Sequence, residues 1–571
     1  MKQIIVGLFC LISLNSWTQQ YRSPLDISLE LSANCGELRN NHFHSGIDIK
    51  TQGAINKPIF SIESGYVSRI SISPAGYGLA LYIDHPSTGH TSVYGHLESF
   101  PPRIAAYIKE KQYDQESFRV DLKLKPSELP VKKGELVAYS GNTGGSGGPH
   151  LHFEIRDSKT EKVLDPLVYY KNMIADTRSP EIRGLAVYPV AGRGVVNGSL
   201  HPLRQAVSLS KSGSYTSPKQ AIRGWGIIGL GLKAYDRMNG TSNVYGVKKL
   251  TMRVDGRQMF RHNIESFSFD QTRMLNTFTD FADWRLNNSF YMYSFVEPGN
   301  ALPFYTTENN GYLNINEERA YNISYELEDI YGNNINYQFE IIGEKQNIPT
   351  PSPCSLVMVW DDENRYISEP FSLIIPRGNL YNNVCFTLAQ TSGSEFYSNI
   401  FTVNNTPVPL HKSGEVQIKM KSDPLKNKKQ YGLVEIKNGK PSWIGGKYKG
   451  GVIIASIREL GCRLTVSADT ESPVITAIAT TQMTKKGKKK IVTQVKSNSI
   501  KLRVTDNLSG ISSFRGTVDG KFALFTHDVK SPVYTYTMDA SRIEKGKTHT
   551  LVFTATDACG NETKYTKEFE F

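Results

Sequence analysis

Cysteine is scarce in this sequence, with six among 571 residues. Cys10 lies in an N-terminal apolar stretch, and Cys35, Cys354, Cys385, Cys462 and Cys559 are scattered with no CxxC pair. That spacing excludes cysteine zinc ligation and argues against a disulfide framework. The expectation is five buried thiols acting as small apolar side chains, with a single Cys354 to Cys385 bridge as the alternative. Long apolar runs are also missing. Beyond the first residues, nothing approaches the roughly 18 to 20 apolar residues of a membrane span, so no transmembrane segment is expected. Gly and Pro are spread rather than concentrated, which excludes collagen-like and low-complexity classes. The formal net charge of +12 suits an anionic partner, but nucleic acid is not expected. The densest basic run, Lys485-Lys486-Gly487-Lys488-Lys489-Lys490, has no interleaved aromatics and reads as a solvated hairpin loop between two strand-like segments.

At this length one hydrophobic core is insufficient, and roughly three to five domains are expected. Residues 1–19 read as a signal peptide: Lys2, then the apolar stretch Ile4 to Leu14, then polar Ser16 to Gln20, with cleavage near Thr18 to Gln20 and no lipid anchor. Residues 20–175 alternate short β-type runs with glycine turns, for example Pro58 to Ile62, Gly65 to Ile70, Leu79 to Ile83 and Glu135 to Tyr139. This predicts an antiparallel β domain. Residues 101–130 interrupt it with a helical stretch, Ile104 to Lys111, and an alternating strand, Phe118 to Leu124, and are read as an insertion beside the site.

The remainder is all-β by pattern and contains a partial internal repeat. Asp176-Thr-Arg-Ser-Pro180 recurs as Asp469-Thr-Glu-Ser-Pro473. Leu232-Lys-Ala-Tyr-Asp236 recurs as Leu502-Arg-Val-Thr-Asp506, and Asp329-Ile-Tyr-Gly-Asn333 as Asp557-Ala-Cys-Gly-Asn561. The order is kept, so 176–343 and 469–571 read as related immunoglobulin-like β-sandwich modules with turns at Asp-Gly and Gly-Asn pairs. They flank a further β-rich module, 344–468, whose pattern names no fold.

Three short motifs carry chemistry. In His44-Ser-Gly-Ile-Asp48 the glycine and the alternation of Ile47 and Ile49 favour a loop entering a strand. There one imidazole and one carboxylate suit a zinc ion. In His150-Leu-His152 alternation turns both histidines to one face and Leu151 to the core. Tyr94-Gly-His96 is read as a second same-face pair, so that four histidines and an aspartate line one groove. Any of these histidines alone reads as a structural residue; the combination of HxxxD with HxH changes that. His42 is a weaker candidate ligand.

Together, Phe43-His44-Ser-Gly-Ile-Asp48, Tyr94-Gly-His96-Leu97 and Gly148-Pro-His150-Leu-His152-Phe153 resemble the lysostaphin-type murein endopeptidases. Gly65-Tyr-Val67, Gly76-Tyr-Gly78 and Val131-Lys-Lys-Gly134 agree with that pattern. The resemblance spans roughly residues 30 to 170, about a quarter of the chain. It implies one Zn²⁺ per chain held by His44, Asp48 and His152, with His96 and His150 unligated as catalytic bases or transition-state stabilisers. Three protein ligands leave a position open, as catalytic zinc requires. No HExxH helix is present, so no glutamate base is expected. Tyr94 is a candidate contact to a developing oxyanion, with packing as the alternative. Arg39 is a candidate to orient a carboxylate of the substrate or of Asp48, with a structural salt bridge as the alternative.

The resemblance implies peptidoglycan as partner and hydrolysis of its cross-links or stem peptides, in the periplasm, the cell envelope or outside the cell. Two other functions remain open at this point. One is a catalytically silent regulator or scaffold of the wall, against which the complete ligand set argues. The other is a surface glycan-binding protein acting through its β modules, for which an immunoglobulin-like fold alone specifies no ligand.

Overall fold

The structure, a computed structural model, describes residues 21–210, 214–478 and 498–571 in full, and the backbone of 480–483 and 489–492. The expected signal segment, Cys10 included, lies outside the described residues. So does most of the basic run at 485–490; the strands beside it, Thr480–Met483 and Lys489–Val492, pair antiparallel.

The N-terminal domain is organised by period-2 alternation. In strand His150–Asp157, Leu151, Phe153 and Ile155 are fully buried in one core, which leaves His150, His152, Glu154 and Arg156 on the opposite face. Its antiparallel neighbours are Ile47–Lys50 on one side and His90–Ser99 on the other. The sheet runs Leu31–Ala33, Ile47–Lys50, His150–Asp157, His90–Ser99, Leu79–His85, Gly65–Ile72 and Pro130–Val131. The insertion does not lie in the groove. Its helix, Pro102–Asp114, buries Ile104 and Ile108 in the domain core, and its strand, Val120–Lys123, pairs with Gly65–Ile72.

The second region is a sheet of ten strands built on the long strands Glu181–Val196 and Ile222–Tyr235. Short helices Leu275–Phe278 and Phe281–Asn287 sit on it. Its core is continuous with the first domain: Cys35, Phe43 and Val163 are buried in the same cluster as Leu232, Leu250, Phe267 and Phe278. A strand from the second region's segment also joins the first sheet, since Ser266–Phe267 pairs with Val163–Leu164.

The third region is an eight-stranded sheet centred on Ile400–Lys419 and Val452–Ala468. Here the cysteine expectation is corrected. Strand Val357–Met358 pairs with Val384–Cys385, which brings Cys354 within 5.7 Å of Cys385 between Cα atoms, and the two form a disulfide. Cys35, Cys462 and Cys559 are buried thiols. The last region packs two four-stranded sheets face to face, one containing Ser499–Thr505 and Val533–Thr537, the other Ile511–Val518, Thr548–Asp557 and Glu562–Glu570.

This last region returns to the first. Tyr113 stacks edge-on against Phe522 at 5.7 Å, Lys109 pairs with Asp539 at 2.5 Å and Arg515 with Glu116 at 2.6 Å. The insertion is thus the dock for the final domain. Among the described residues no helix is long and apolar enough to cross a membrane.

Phe43 is 1 % exposed and packs on Phe267, Phe278 and Phe304. Truncating Phe43→Ala is expected to cost about 3 to 5 kcal/mol. In the full chain this should appear as a lower melting temperature together with faster proteolysis of both the first and the second regions.

Candidate metal centre

Cross-strand register builds the site. His152 lies directly opposite Asp48 in the antiparallel pair, so their side chains stand side by side on one face. His44 reaches the same point from the turn before that strand. The turn is held tight by Gly46, where an added Cβ would lie 2.2 Å from the Phe153 carbonyl oxygen, so no larger residue fits. His44 Nε2, Asp48 Oδ1 and His152 Nδ1 then lie 3.0, 3.1 and 2.9 Å apart pairwise. A tetrahedral ion with donors at about 2.0 to 2.1 Å has donor–donor edges of about 3.3 Å. These three atoms need move only slightly to hold one.

The opposite ring nitrogen of each histidine is committed elsewhere. His44 Nδ1 meets the Asn34 carbonyl at 2.8 Å, and His152 Nε2 meets Glu154 Oε1 at 2.8 Å. His96 Nδ1 meets the Thr143 carbonyl at 2.7 Å, and His150 Nδ1 the Gly148 carbonyl at 2.8 Å. A ring nitrogen that meets a backbone carbonyl carries its proton there, as Nδ1 does at His44, His96 and His150. The other nitrogen of each ring faces inward, and His44 Nε2 and His152 Nδ1 both lie within hydrogen-bond distance of Asp48 Oδ1. His150 Nε2 is 3.4 Å from Asp48 Oδ1, and the His96 and His150 rings are 4.8 Å apart. Of the five residues only His150 is partly open to solvent.

Around this centre sits a buried carboxylate system. Glu154 is fully buried and receives hydrogen bonds from Arg156 Nε at 2.6 Å, Tyr77 Oη at 2.6 Å and Ser45 Oγ at 2.6 Å, besides that from His152. Burial opposes its charge, but Arg156 and His152 hold it well below the usual carboxylate range. Tyr77 also stacks on His152, with ring centroids 5.0 Å apart. This is the carboxylate–histidine arrangement that orients a metal-ligating imidazole.

Charge at the site is balanced tightly. Burial works against the Asp48 carboxylate, yet the surrounding histidines, His44 foremost, keep it low. Burial also opposes charge on His152, but Asp48 and Glu154 outweigh it and raise the imidazole to about 9. Burial and the neighbouring His152 and His150 push His96 down to about 3, so it is neutral.

Sequence expectation and geometry differ at Tyr94. His96 adopts a left-handed backbone, φ 57°, and the pairing of His90–Ser99 with Leu79–His85 carries one extra residue between Tyr94 and Leu97. This bulge breaks the alternation. His96 turns to the groove while Tyr94 is fully buried in the core, its hydroxyl bonded to the Ile62 amide and Ser92. Tyr94 is thus a packing residue and touches no other site residue's polar atoms. Arg39 reaches Asp48 Oδ2 at 3.3 Å and Glu37 at 3.2 Å. His42 is exposed at the surface, bonded to the Asn40 carbonyl at 2.8 Å. Glu154 and Tyr77 were not singled out by sequence reasoning; the i+2 position of Glu154 from His152 was the available signal.

The groove rim receives a loop of the last region. Asp528 Oδ2 accepts from the Gly144 amide at 2.9 Å, the Val529 amide donates to the Pro74 carbonyl at 3.0 Å, and Lys530 bonds the Asn142 carbonyl.

Comparison with known proteins gives two family matches: peptidase family M23 over residues 120–166 and a Zu5-like domain over 355–469. An uncharacterized metalloprotease of Haemophilus influenzae is 31% identical over 112 residues, 19% of this chain and 18% of the relative. Lysostaphin of Staphylococcus staphylolyticus is 24% identical over 135 residues, 23% of each chain. Among solved structures, the catalytic domain of the antimicrobial peptidase lysostaphin from Staphylococcus simulans matches with 22% identity and a TM-score of 0.19, covering 25% of this chain and 92% of that one. The chain thus spans about a fifth of the length of the curated relatives it matches.

Two outcomes are expected of the metal centre. Glu154→Gln removes the charge that orients His152 and should weaken zinc affinity about 10- to 100-fold, measured by competition with a chromophoric chelator. Because His152 is protonated below about 9, zinc uptake at pH 7.5 should release about one proton per ion bound. Calorimetry in buffers of different ionisation enthalpy reads that number.

Proposed function

We propose that the chain is an exported zinc endopeptidase hydrolysing peptide bonds of bacterial peptidoglycan, on the premise that its N-terminal domain is a lysostaphin-type peptidase of family M23, whose model matches residues 120–166. The observation that carries this reading is the convergence of His44 Nε2, Asp48 Oδ1 and His152 Nδ1 within 3.1 Å of one another, with the free nitrogens of two further histidines beside them. No cysteine joins the group, and a set of two imidazoles and one carboxylate suits zinc. Peptidoglycan as substrate rests on the motif resemblance to murein endopeptidases, and the net charge of +12 suits an anionic wall polymer.

His44, Asp48 and His152 would hold the ion. Zinc in such a set supplies a Lewis acid that polarises the scissile carbonyl and lowers the pKa of a water molecule toward about 7. The chain's own residues do the rest. Glu154 fixes the His152 ring, and Asn34 fixes that of His44, so the donors need no reorganisation. His150, at the partly open mouth with Nε2 unprotonated, accepts a proton and returns it to the leaving amine. His96 remains neutral and presents Nε2 as a hydrogen-bond acceptor that orients the attacking group. Arg39 holds Asp48 from the outer side. The glycines at 147 and 148, where an added Cβ would meet nothing within 4 Å, leave room for an extended substrate backbone to approach.

A silent scaffold is disfavoured by the complete donor set. The insertion at 101–130 makes no hydrogen bond or ion pair with the five site residues among the described residues and instead carries the final domain.

The full-length protein digested with purified sacculi, with muropeptides read by mass spectrometry, tests the reading. Wild type should release peptide-cleaved fragments. His150→Ala should lose about 100- to 10,000-fold in rate while keeping zinc, and His152→Ala should lose zinc itself. A zinc-loaded wild type that releases no peptide-cleaved fragment would overturn the assignment.

A further inference from the structure

The internal repeat converges in space. Asp176, Asp236 and Asp329, far apart in sequence, offer one oxygen each within 4.8 Å of one another, and so do Asp469, Asp506 and Asp557. These are the repeated aspartates of the two related segments, so one arrangement occurs twice. The hydrogen bonding repeats residue for residue. Asp329 Oδ1 accepts from the amides of Tyr331 and Asn333, and Oδ2 from Asn333 Nδ2 at 2.7 Å. Asp557 Oδ1 accepts from Cys559 and Asn561, and Oδ2 from Asn561 Nδ2 at 2.7 Å. Asp176 accepts from the Asn239 amide, three residues after Asp236. Asp469 accepts from the Ser509 amide, three residues after Asp506.

Turn capping accounts for those oxygens and leaves others without a partner. Asp176 Oδ2 and Asp236 Oδ1 are buried with no hydrogen-bond donor, in side chains 8 % and 5 % exposed. In the second copy the same atom, Asp506 Oδ1, is again the unpaired one, in a partly buried side chain between buried Asp469 and Asp557. No lysine or arginine forms an ion pair with any of the six among the described residues. Three carboxylates this close repel unless one is protonated or a cation lies between them. Burial accordingly raises Asp236 to about 8 and also raises Asp176. Neither group contains histidine or cysteine, so the donor chemistry is all oxygen and suits a hard divalent cation rather than zinc.

We infer that both aspartate triads are binding sites for a calcium-type divalent cation, one at the junction of the peptidase domain with the second region and one at the junction of the third region with the last. Asp176 lies in the segment that leaves the first domain, and its carbonyl is bound by Asn333. Asp469 lies in the segment that leaves the third region. Its amide bonds Gln430 of that region, and Gln430 Nε2 reaches Asn561 of the last at 2.7 Å. A cation at each site ties a connecting segment to the β region that follows it. These sites are separate from the His44–Asp48–His152 group, and their occupancy is independent of the proposed peptidase activity.

The test uses the full chain, zinc-loaded and freed of other metal, titrated with calcium chloride in a calorimeter, with the melting temperature followed in parallel. Saturable binding of two ions per chain with a raised melting temperature is expected. Asp236→Asn and Asp506→Asn should each retain one ion, and the double variant none. No saturable calcium binding by wild type, or unchanged stoichiometry in both single variants, would sink the proposal. Should a variant not fold, limited proteolysis of wild type decides. Calcium must slow cleavage within 171–180 and 468–473, and equal cleavage with and without calcium counts against the sites.

Discussion

One pairing register underlies the site: His152 opposite Asp48 in adjacent antiparallel strands. A slip of one residue would turn His150, His152, Glu154 and Arg156 into the core and bring Leu151 and Phe153 out to the groove. The register is secured from both faces. Ile47, Ile49, Leu151 and Phe153 are fully buried on one side, and Glu154 bonded to Arg156, Tyr77 and Ser45 fastens the other. The donor geometry is therefore a property of the sheet rather than of mobile side chains, which is the condition for a pre-organised metal centre.

What could be read in the sequence follows from the range of the interactions. His44, Asp48, His150 and His152 were legible because short motifs and strand alternation place them. The all-β class was legible from the same alternation and its glycine turns. Tyr94 was misplaced because alternation was carried through Gly95 and His96, where a bulge adds one residue, and no local signal marks a bulge without a partner strand to count against. Tyr77 was quoted within Gly76-Tyr-Gly78 but given no task. Its contact with Glu154 depends on a fold that brings residues 77 and 154 together. The disulfide was open for a similar reason, since spacing alone does not show that the strands bearing Cys354 and Cys385 are neighbours. The aspartate repeat was visible as a repeat, but three positions separated by 60 and 93 residues in one copy (176 to 236, 236 to 329) reveal a shared point only after folding.

The regions of this chain are not arranged as independent beads. The insertion, read from sequence as lying beside the site, is a bracket for the last region. That region in turn sets Asp528, Val529 and Lys530 on the loops that frame the groove. The second region supports the metal centre from behind. Asn34, whose carbonyl orients His44, makes paired hydrogen bonds with the backbone of Gly246 at 2.9 Å each, and Arg156, which steadies Glu154, packs on Phe269 at 4.3 Å. Two of the four ring orientations at the site thus depend on residues beyond the domain that holds His44 and His152.

Phe43, the residue directly before the first metal donor, anchors in the core of the neighbouring region. The functional unit is consequently not severable at the boundary that the motifs suggest. A fragment ending near residue 175 would keep every catalytic side chain, yet it would bare Cys35, Phe43 and Val163 to water and lose the hydrogen bonds that steady Asn34. Transplanting this catalytic centre into another protein, or exchanging it with that of a relative, requires moving its neighbour as well. Exchange of the first region as a separate module is closed to this chain at that seam.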